Sequence, residues 1–431
     1  MNQTPGFIIA ATHSHAGKTT VALAVMSALQ AAGWNVAPFK VGPDFIDPLW
    51  HAAFCGVPSY NLDTFMIGAE ACRTLLATRR QPGAVAVVEG VMGLYDGKIG
   101  IGGAGSTADL AKALGMPVVL VVDAKGMAGS IAPLVAGFAG FAQGFEVAGV
   151  LANRVGSATH ARILAQALEE AHLPPLLGWL QATPAIGLGE RHLGLVLPDE
   201  QKAPAADALR AALTLDLETI LDISRRTSPI HATESTGTDA PGLTGKRIAV
   251  AQDQAFCFIY PANLEWLQNM GAEIQCFSPL AGEPLPSGCD ALWLPGGYPE
   301  LHAERLSVSN SWHHIRKAVS SGMPVLAECG GMMALGEELI LLDGVTWPMA
   351  KVLPIRTRMT SRLAGLGYRQ ERSGARGHEF HHSTRDLSDL ATAFQLERGD
   401  AGVRWNNLRA SYVHWYFPSC SEVCCHWFLP D

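Results

Sequence analysis

Two short clusters in this chain carry the residue types that polar chemistry needs. The first is Gly17-Lys18-Thr19-Thr20, which closes a loop and runs directly into the apolar stretch Val21-Ala22-Leu23-Ala24-Val25-Met26. Phosphate oxygens call for backbone N–H groups at a helix N-terminus, a lysine point charge and a hydroxyl able to ligate Mg2+. Lys18 and Thr19 supply the last two. Thr12 stands where the first glycine of a G-x-x-x-x-G-K-T loop would be, so the loop is a deviant one. The second cluster is Glu328-Cys329-Gly330-Gly331, again between an apolar strand-like run and a helix-forming one. A sharp strand-to-helix turn exposes a reactive side chain, a helix N-terminus favours a thiolate, and small neighbours leave N–H groups for an oxyanion. Cys329 is the expected nucleophile, and His414 in Ala410-Ser411-Tyr412-Val413-His414 is the candidate base.

Carboxylates gather near the first cluster. Lys40-Val41-Gly42-Pro43-Asp44-Phe45-Ile46-Asp47 and Glu89-Gly90-Val91-Met92-Gly93-Leu94-Tyr95-Asp96 each follow an apolar run. Mg2+ is commonly held by one or two carboxylates with phosphate oxygens and water, which makes Asp44, Asp47 and Glu89 ligand candidates. The plainer reading of any one aspartate is an Asx-turn or helix N-cap. Two further groups, His378-Glu379-Phe380-His381-His382 and the tail Cys420-Ser421-Glu422-Val423-Cys424-Cys425-His426, contain metal-binding residue types but no zinc spacing.

These residues need elements to hold them. β-Branched runs at residues 7–11, 36–41, 85–88, 118–122 and 147–151 read as buried strands separated by helical patterns, the mark of a parallel α/β sheet. The alternation stops between residues 224 and 245, a stretch of Ser, Thr, Pro, Gly and Asp, and restarts at 247–251, 274–277, 291–294 and 325–327. The expectation is two doubly wound α/β domains, residues 1–223 and 246–431, joined by a linker over 224–245. The uncharged stretch 126–145 contains Pro133, Ser130, Gln143 and several glycines, which points to a tightly packed helix of a soluble domain rather than a membrane span.

The 431 residues are enough for two cores, and with 48% apolar and 16% charged residues both can be globular. A net charge of −8 without basic runs argues against nucleic acid as a partner. Nine scattered cysteines and an N-terminus without a secretory pattern point to a reducing, cytoplasmic setting. Apolar α/β surfaces make a homodimer plausible.

Taken together, the motifs resemble the cobyrinic acid a,c-diamide synthase family over nearly the whole chain. The resemblance rests on Gly17-Lys18-Thr19-Thr20, the Lys40 to Asp47 segment, Asn61-Leu62-Asp63, the Glu89 to Asp96 segment, Arg191-His192-Leu193-Gly194-Leu195, Gly296-Gly297-Tyr298-Pro299-Glu300, Glu328-Cys329-Gly330-Gly331, Gly377-His378-Glu379 and Ala410 to His414. It implies a P-loop domain of the dethiobiotin synthetase type ahead of a flavodoxin-like class I glutamine amidotransferase domain. It further implies ATP and glutamine as co-substrates with Mg2+, and a corrin or related tetrapyrrole whose acetate side chains are phosphorylated and then amidated. By the same resemblance Gly17, Lys18, Thr19, Thr20 and Asn153 bind nucleotide, and Thr19, Asp47 and Glu89 hold Mg2+. Lys40, Asp44, Asp63 and Asp96 serve substrate activation, Gly297 and Gly330 form the oxyanion hole, and Cys329 with His414 performs glutaminase chemistry.

Three positions depart from the pattern. Ala11 and His15 stand where the family has glycine, and Tyr416 occupies the place, two residues after the histidine, where a triad enzyme has glutamate. The group orienting His414 is therefore unidentified. Competing readings keep the machinery on a sirohydrochlorin-type or siroheme-type ring, extend it to cobyric acid synthesis, or assign a non-amidating partitioning ATPase, for which a cysteine domain has no use.

Overall fold

A computed structural model describes residues 5–98, 102–191, 194–195, 197–198, 205–228, 242–386 and 388–430. The chain forms two compact units, Met1–Glu234 and Ser235–Asp431.

The first unit is built on an eight-stranded sheet. Seven strands, β1 (Gly6–Ala11), β2 (Val36–Val41), β3 (Tyr60–Leu62), β4 (Val85–Glu89), β5 (Val118–Asp123), β6 (Val147–Val155) and β7 (Leu176–Gln181), are joined at one edge by the antiparallel strand Leu213–Leu215. Their order from that edge is β7-β6-β5-β1-β4-β2-β3, all parallel. A parallel sheet is covered on both faces, so β1, β2 and β4 are buried along their entire length. Helix α1 (Lys18–Ala31) is apolar almost all round and packs as a core helix, with Val21, Leu23, Val25 and Leu29 at most 1% exposed. It follows β1 after a six-residue loop, which places its N-terminus at the C-terminal edge of the sheet. Helix α2 (Ile46–Cys55) follows β2 at the same edge. β1 and β4 are neighbours near the centre, where the chain order reverses, the usual ligand crevice of such sheets.

The second unit carries a six-stranded sheet in the order Glu273–Phe277, Arg247–Ala251, Ala291–Leu294, Val325–Glu328, Leu408–Ser411, Val403–Trp405. All neighbours are parallel except the last pair. A separate three-stranded antiparallel sheet joins Gly365–Gln370, Arg376–His381 and His414–Tyr416. The fold is thus α/β in both units, each main sheet parallel except for one antiparallel edge strand.

Two stretches differ from the reading of the sequence alone. Residues 126–145 are helical only over Ile131–Gly140, and there only Ile131 and Val135 are buried, while Phe141 is 59% exposed. The stretch is therefore a surface helix with one buried i, i+4 pair, Ile131 and Val135, and a second, half-buried pair, Leu134 and Phe138, of which Phe138 stacks on Tyr95. At the domain junction, packed structure extends into the stretch of mixed composition. Thr227 Oγ1 donates to the Gly6 carbonyl at 2.6 Å, and Leu243 is fully buried with its N–H on the Met270 carbonyl. Residues 229–241 of that stretch, and His192 and Leu193 of the Arg191 to Leu195 motif, lie outside the described residues.

Candidate functional site

At the end of β1 the chain turns through His15 and Gly17, both with positive φ (65° and 86°), and enters α1 with no side-chain cap. The first-turn amides of a helix have no intrahelical acceptor, so an uncapped N-terminus behind a loop of this shape presents N–H groups to an anion. Gly17 is required twice over: its φ is left-handed, and a Cβ there would overlap the Asn153 amide. Asn153 donates from Nδ2 to the Ala16 carbonyl at 2.9 Å. Its observed contact is with the loop itself. Arg154, also at positive φ, donates to the His15 carbonyl at 3.1 Å while paired with Asp123 at 2.5 Å. These two residues tie the loop to β6.

Inside the loop, Lys18 Nζ rests on the Met92 carbonyl at 2.7 Å. Burial, reinforced by the nearby Lys40 ammonium, lowers its pKa to about 8. Thr19 Oγ1 donates to Glu89 Oε1 at 2.7 Å and lies 3.2 Å from Asp47 Oδ1. Lys40 Nζ meets Asp47 Oδ2 at 2.5 Å, Glu89 Oε1 at 3.2 Å and the Gly90 carbonyl at 2.8 Å. Against the penalty of full burial, the Asp47 and Glu89 carboxylates hold the Lys40 ammonium well above the usual lysine range. Thr19, Lys40, Asp47 and Glu89 thus converge from four separate segments.

The other acidic candidates are committed to the backbone. Asp44 Oδ1 accepts from the N–H groups of Ile46 and Asp47, Asp63 Oδ1 from Phe65 and Met66, and Asp96 Oδ2 from Gly93. Each holds a turn or helix start, the plainer of the two roles open to it. Sequence reasoning missed His51. This residue is fully buried, with Nε2 2.7 Å from Glu89 Oε2 and Nδ1 3.0 Å from Ser59 Oγ. Its signal was its place four residues after Asp47 on one helix, hence on the same face.

In the second unit Cys329 follows strand Val325–Glu328 and caps helix Gly330–Leu335 with φ 44°, ψ −107°. A non-glycine residue in that region is strained, as a nucleophile elbow requires. The glycines around it are set by close approach. A Cβ on Gly330 would stand 3.0 Å from the Gly297 nitrogen, and one on Gly331 would run into the Leu294 carbonyl. A Cβ on Gly296 would overlap the His414 imidazole. The Gly296-Gly297 turn therefore has His414 against one residue and the Cys329–Gly330 turn against the next.

Cys329 and His414 are 5% and 2% exposed. Burial, with the Glu300 carboxylate adding to it, pushes the Cys329 thiol well above the ordinary cysteine range, and the Gly330 N–H only partly offsets this. The N-terminus of a six-residue helix acts against that direction but does not outweigh removal from water. Burial likewise drives His414 well below the usual imidazole value, with His378 and His381 acting in the same direction. Both shifts favour the uncharged forms.

The His378 to His382 cluster is divided among separate tasks. His378 stacks on His414 at 5.1 Å and shares a hydrogen bond with Tyr260, Glu379 pairs with Arg369 at 2.6 Å, and His381 stacks on Tyr412 at 3.7 Å. Cys424 and Cys425 of the tail lie in the apolar core with Trp415 and Phe428.

Comparison with known proteins matches both units. Residues 7–196 match the CobQ/CobB/MinD/ParA nucleotide binding domain, and residues 247–421 the CobB/CobQ-like glutamine amidotransferase domain. The chain is 41% identical to a hydrogenobyrinate a,c-diamide synthase of Rhizobium meliloti (strain 1021), over 95% of this chain and 98% of that protein. It is 40% identical to a cobyrinate a,c-diamide synthase of Syntrophotalea carbinolica, over 96% of each. It is also 41% identical to one of Haloarcula marismortui, over 92% of this chain and 91% of that protein. With a nucleotide-binding unit, a cysteine–histidine unit and relatives of this similarity along nearly its full length, the chain belongs to the a,c-diamide synthase family of glutamine-hydrolysing amidotransferases.

Proposed function

We propose that this protein converts the a and c acetate side chains of a corrin acid, cobyrinic or hydrogenobyrinic, to amides, using ATP to activate each carboxylate and glutamine as the nitrogen source. The observation that carries the reading is the coexistence of a phosphate loop ringed by Thr19, Lys40, Asp47 and Glu89 with a strained Cys329 beside His414. A carboxylate is a poor acyl donor until phosphorylated, so an amide ligase needs both a phosphate site and a source of ammonia.

In the first unit, Gly17, Lys18, Thr19 and Thr20, at the loop end and the opening turn of α1, bind the nucleotide phosphates, and Asn153, which braces the loop, belongs to the same nucleotide site. Thr19, Asp47 and Glu89 present a hydroxyl and two carboxylates, an all-oxygen set that fits Mg2+, and these residues would hold the ion. When bound, Mg2+ offsets charge on the phosphoryl group in transfer. Lys40, Asp44, Asp63 and Asp96 order the substrate side of the crevice. In the second unit, Cys329 attacks the glutamine carboxamide as His414 takes its proton, and His414 returns that proton to the departing nitrogen, so that ammonia leaves as the C–N bond breaks and a γ-glutamyl thioester forms. Gly297 and Gly330 supply N–H groups to the oxyanion, and water releases glutamate from the thioester. A buried pair shifted toward its uncharged forms suits this sequence, because the ion pair forms only as the bond is made.

We place the enzyme in the cytoplasm, as a homodimer. No helix among the described residues is long and apolar enough to cross a membrane. The test is to supply Mg-ATP and glutamine with cobyrinic acid, hydrogenobyrinic acid or siroheme in turn, and to read product masses. Two carboxylate-to-amide conversions on a corrin acid are expected. Conversion of siroheme alone moves the substrate to that ring, and none with any ring while glutamine is hydrolysed removes the corrin assignment.

A further inference from the structure

The histidine of the amide-hydrolysing site has no acidic residue two positions on, where Tyr416 stands, yet its segment is held with unusual completeness. Among the described residues, strand His414–Tyr416 is the edge of its three-stranded sheet and pairs with Arg376–His381 alone. Side chains take both main-chain groups of Trp415. Its N–H donates to Glu328 Oε1 at 2.8 Å, and its carbonyl accepts from Asn263 Nδ2 at 2.8 Å. Asn263 Oδ1 also accepts from the Phe417 N–H at 2.9 Å. The second oxygen of Glu328 accepts from Trp293 Nε1 at 3.0 Å, and the carboxyl is 2% exposed. Burying a carboxyl against two neutral N–H donors is costly, so the arrangement calls for a compensating role.

Glu328 is adjacent to Cys329, and these two neighbours reach both ends of one short segment. The Cys329 N–H donates to the Ser411 carbonyl at 2.7 Å, and the Glu328 carboxyl accepts from Trp415 N–H. Residues 411–415, with His414 among them, are thereby clamped to the strand end that carries the thiol. The ring of His414 is confined separately, between Gly296 and the face of His378.

We propose that Glu328 is a positioning residue for glutamine hydrolysis, fixing His414 relative to Cys329 through the Trp415 peptide. The inference rests on the reading of Cys329 and His414 given above. Displacing a catalytic group by about 1 Å costs on the order of 100-fold in rate.

The experiment measures glutamine hydrolysis and thermal unfolding of the full-length chain. Glu328→Gln keeps the shape but turns an amide NH2 toward one of the two N–H donors. The expected result is a fall in kcat of about 10- to 100-fold with KM for glutamine changed less than about threefold, because the substrate contacts stay and only alignment is lost. Trp293→Phe, which removes the indole N–H together with part of a fully buried ring packed on Phe417 but leaves the Trp415 anchor, is expected to change kcat by less than about threefold. A kcat for Glu328→Gln within about twofold of the parent, whatever happens to its melting temperature, overturns the proposal and leaves Glu328 a purely structural brace. If Glu328→Gln accumulates only unfolded, Asn263→Asp carries the test. It keeps the acceptor for Phe417 but withdraws the donor from the Trp415 carbonyl, and it is judged by the same thresholds. Cys329→Ala separates the two readings: hydrolysis that survives it defeats the nucleophile assignment itself, whereas hydrolysis lost there but intact in Glu328→Gln defeats only the positioning role.

Discussion

Lys18 and Lys40 are the same side chain in opposite circumstances. Lys40 is enclosed by Asp47, Glu89 and the Gly90 carbonyl, so its charge is already balanced. Among the described residues Lys18 donates to the Met92 carbonyl alone, and its pKa is lowered to about 8, so an anionic phosphate would be a better partner for it. Lys18→Met is expected to lower ATP-dependent amidation driven by ammonium by about 100- to 1000-fold, the usual cost of removing a single charge-stabilising donor, with an unchanged melting temperature. A second residue-scale expectation concerns pH. Burial raises Glu328 from 4.5 to about 8. Below about 4.5 both folded and unfolded chains carry the proton. Between about 4.5 and 8 the unfolded chain ionises first, so this residue's stabilising contribution is lost as pH rises, by at most about 1.4 kcal/mol per pH unit. Melting curves across that window are expected to fall more steeply for the parent than for Glu328→Gln, and parallel curves would remove Glu328 from the account.

At the scale of elements, the strands were legible because buried parallel strands are short, β-branched and continuous. Residues 247–251 and 291–294 coincide with observed strands, and 7–11 and 325–327 each fall one residue short. The helix at Ile131–Gly140 shows the converse, since an uncharged composition says nothing about which neighbours are present to bury it. Turn glycines carry a sharper message. Gly296 packs its bare Cα against the His414 ring. Gly296→Ala is expected to cut glutamine hydrolysis by at least about 10-fold while ammonium-driven amidation continues, because the methyl must displace the imidazole. Equal loss of both activities would point to general unfolding of the turn instead.

For the whole molecule, the two chemistries belong to separate compact units, each with its own core. Cys329→Ala should therefore abolish glutamine-dependent amidation and leave amidation supported by ammonium chloride within about threefold of the parent, read as product mass against time. Loss of both would mean that the thiol serves the ATP-dependent step as well.

The two-unit α/β architecture, the phosphate loop, the cysteine elbow and its histidine follow from local patterns: strand periodicity, a Gly-Lys-Thr ahead of a helix, a cysteine before two glycines. Each can be read within a dozen residues, because backbone conformation and N–H supply are local properties. Which side chains meet is not local. That Glu89 joins Thr19, Lys40 and His51, that Asp44, Asp63 and Asp96 spend an oxygen on their own turns, and that Glu328 reaches the Trp415 peptide depend on strand order and register. The direction in which the Cys329 thiol is shifted is set in the same way, since burial depends on everything packed around the residue and here outweighs the helix behind it.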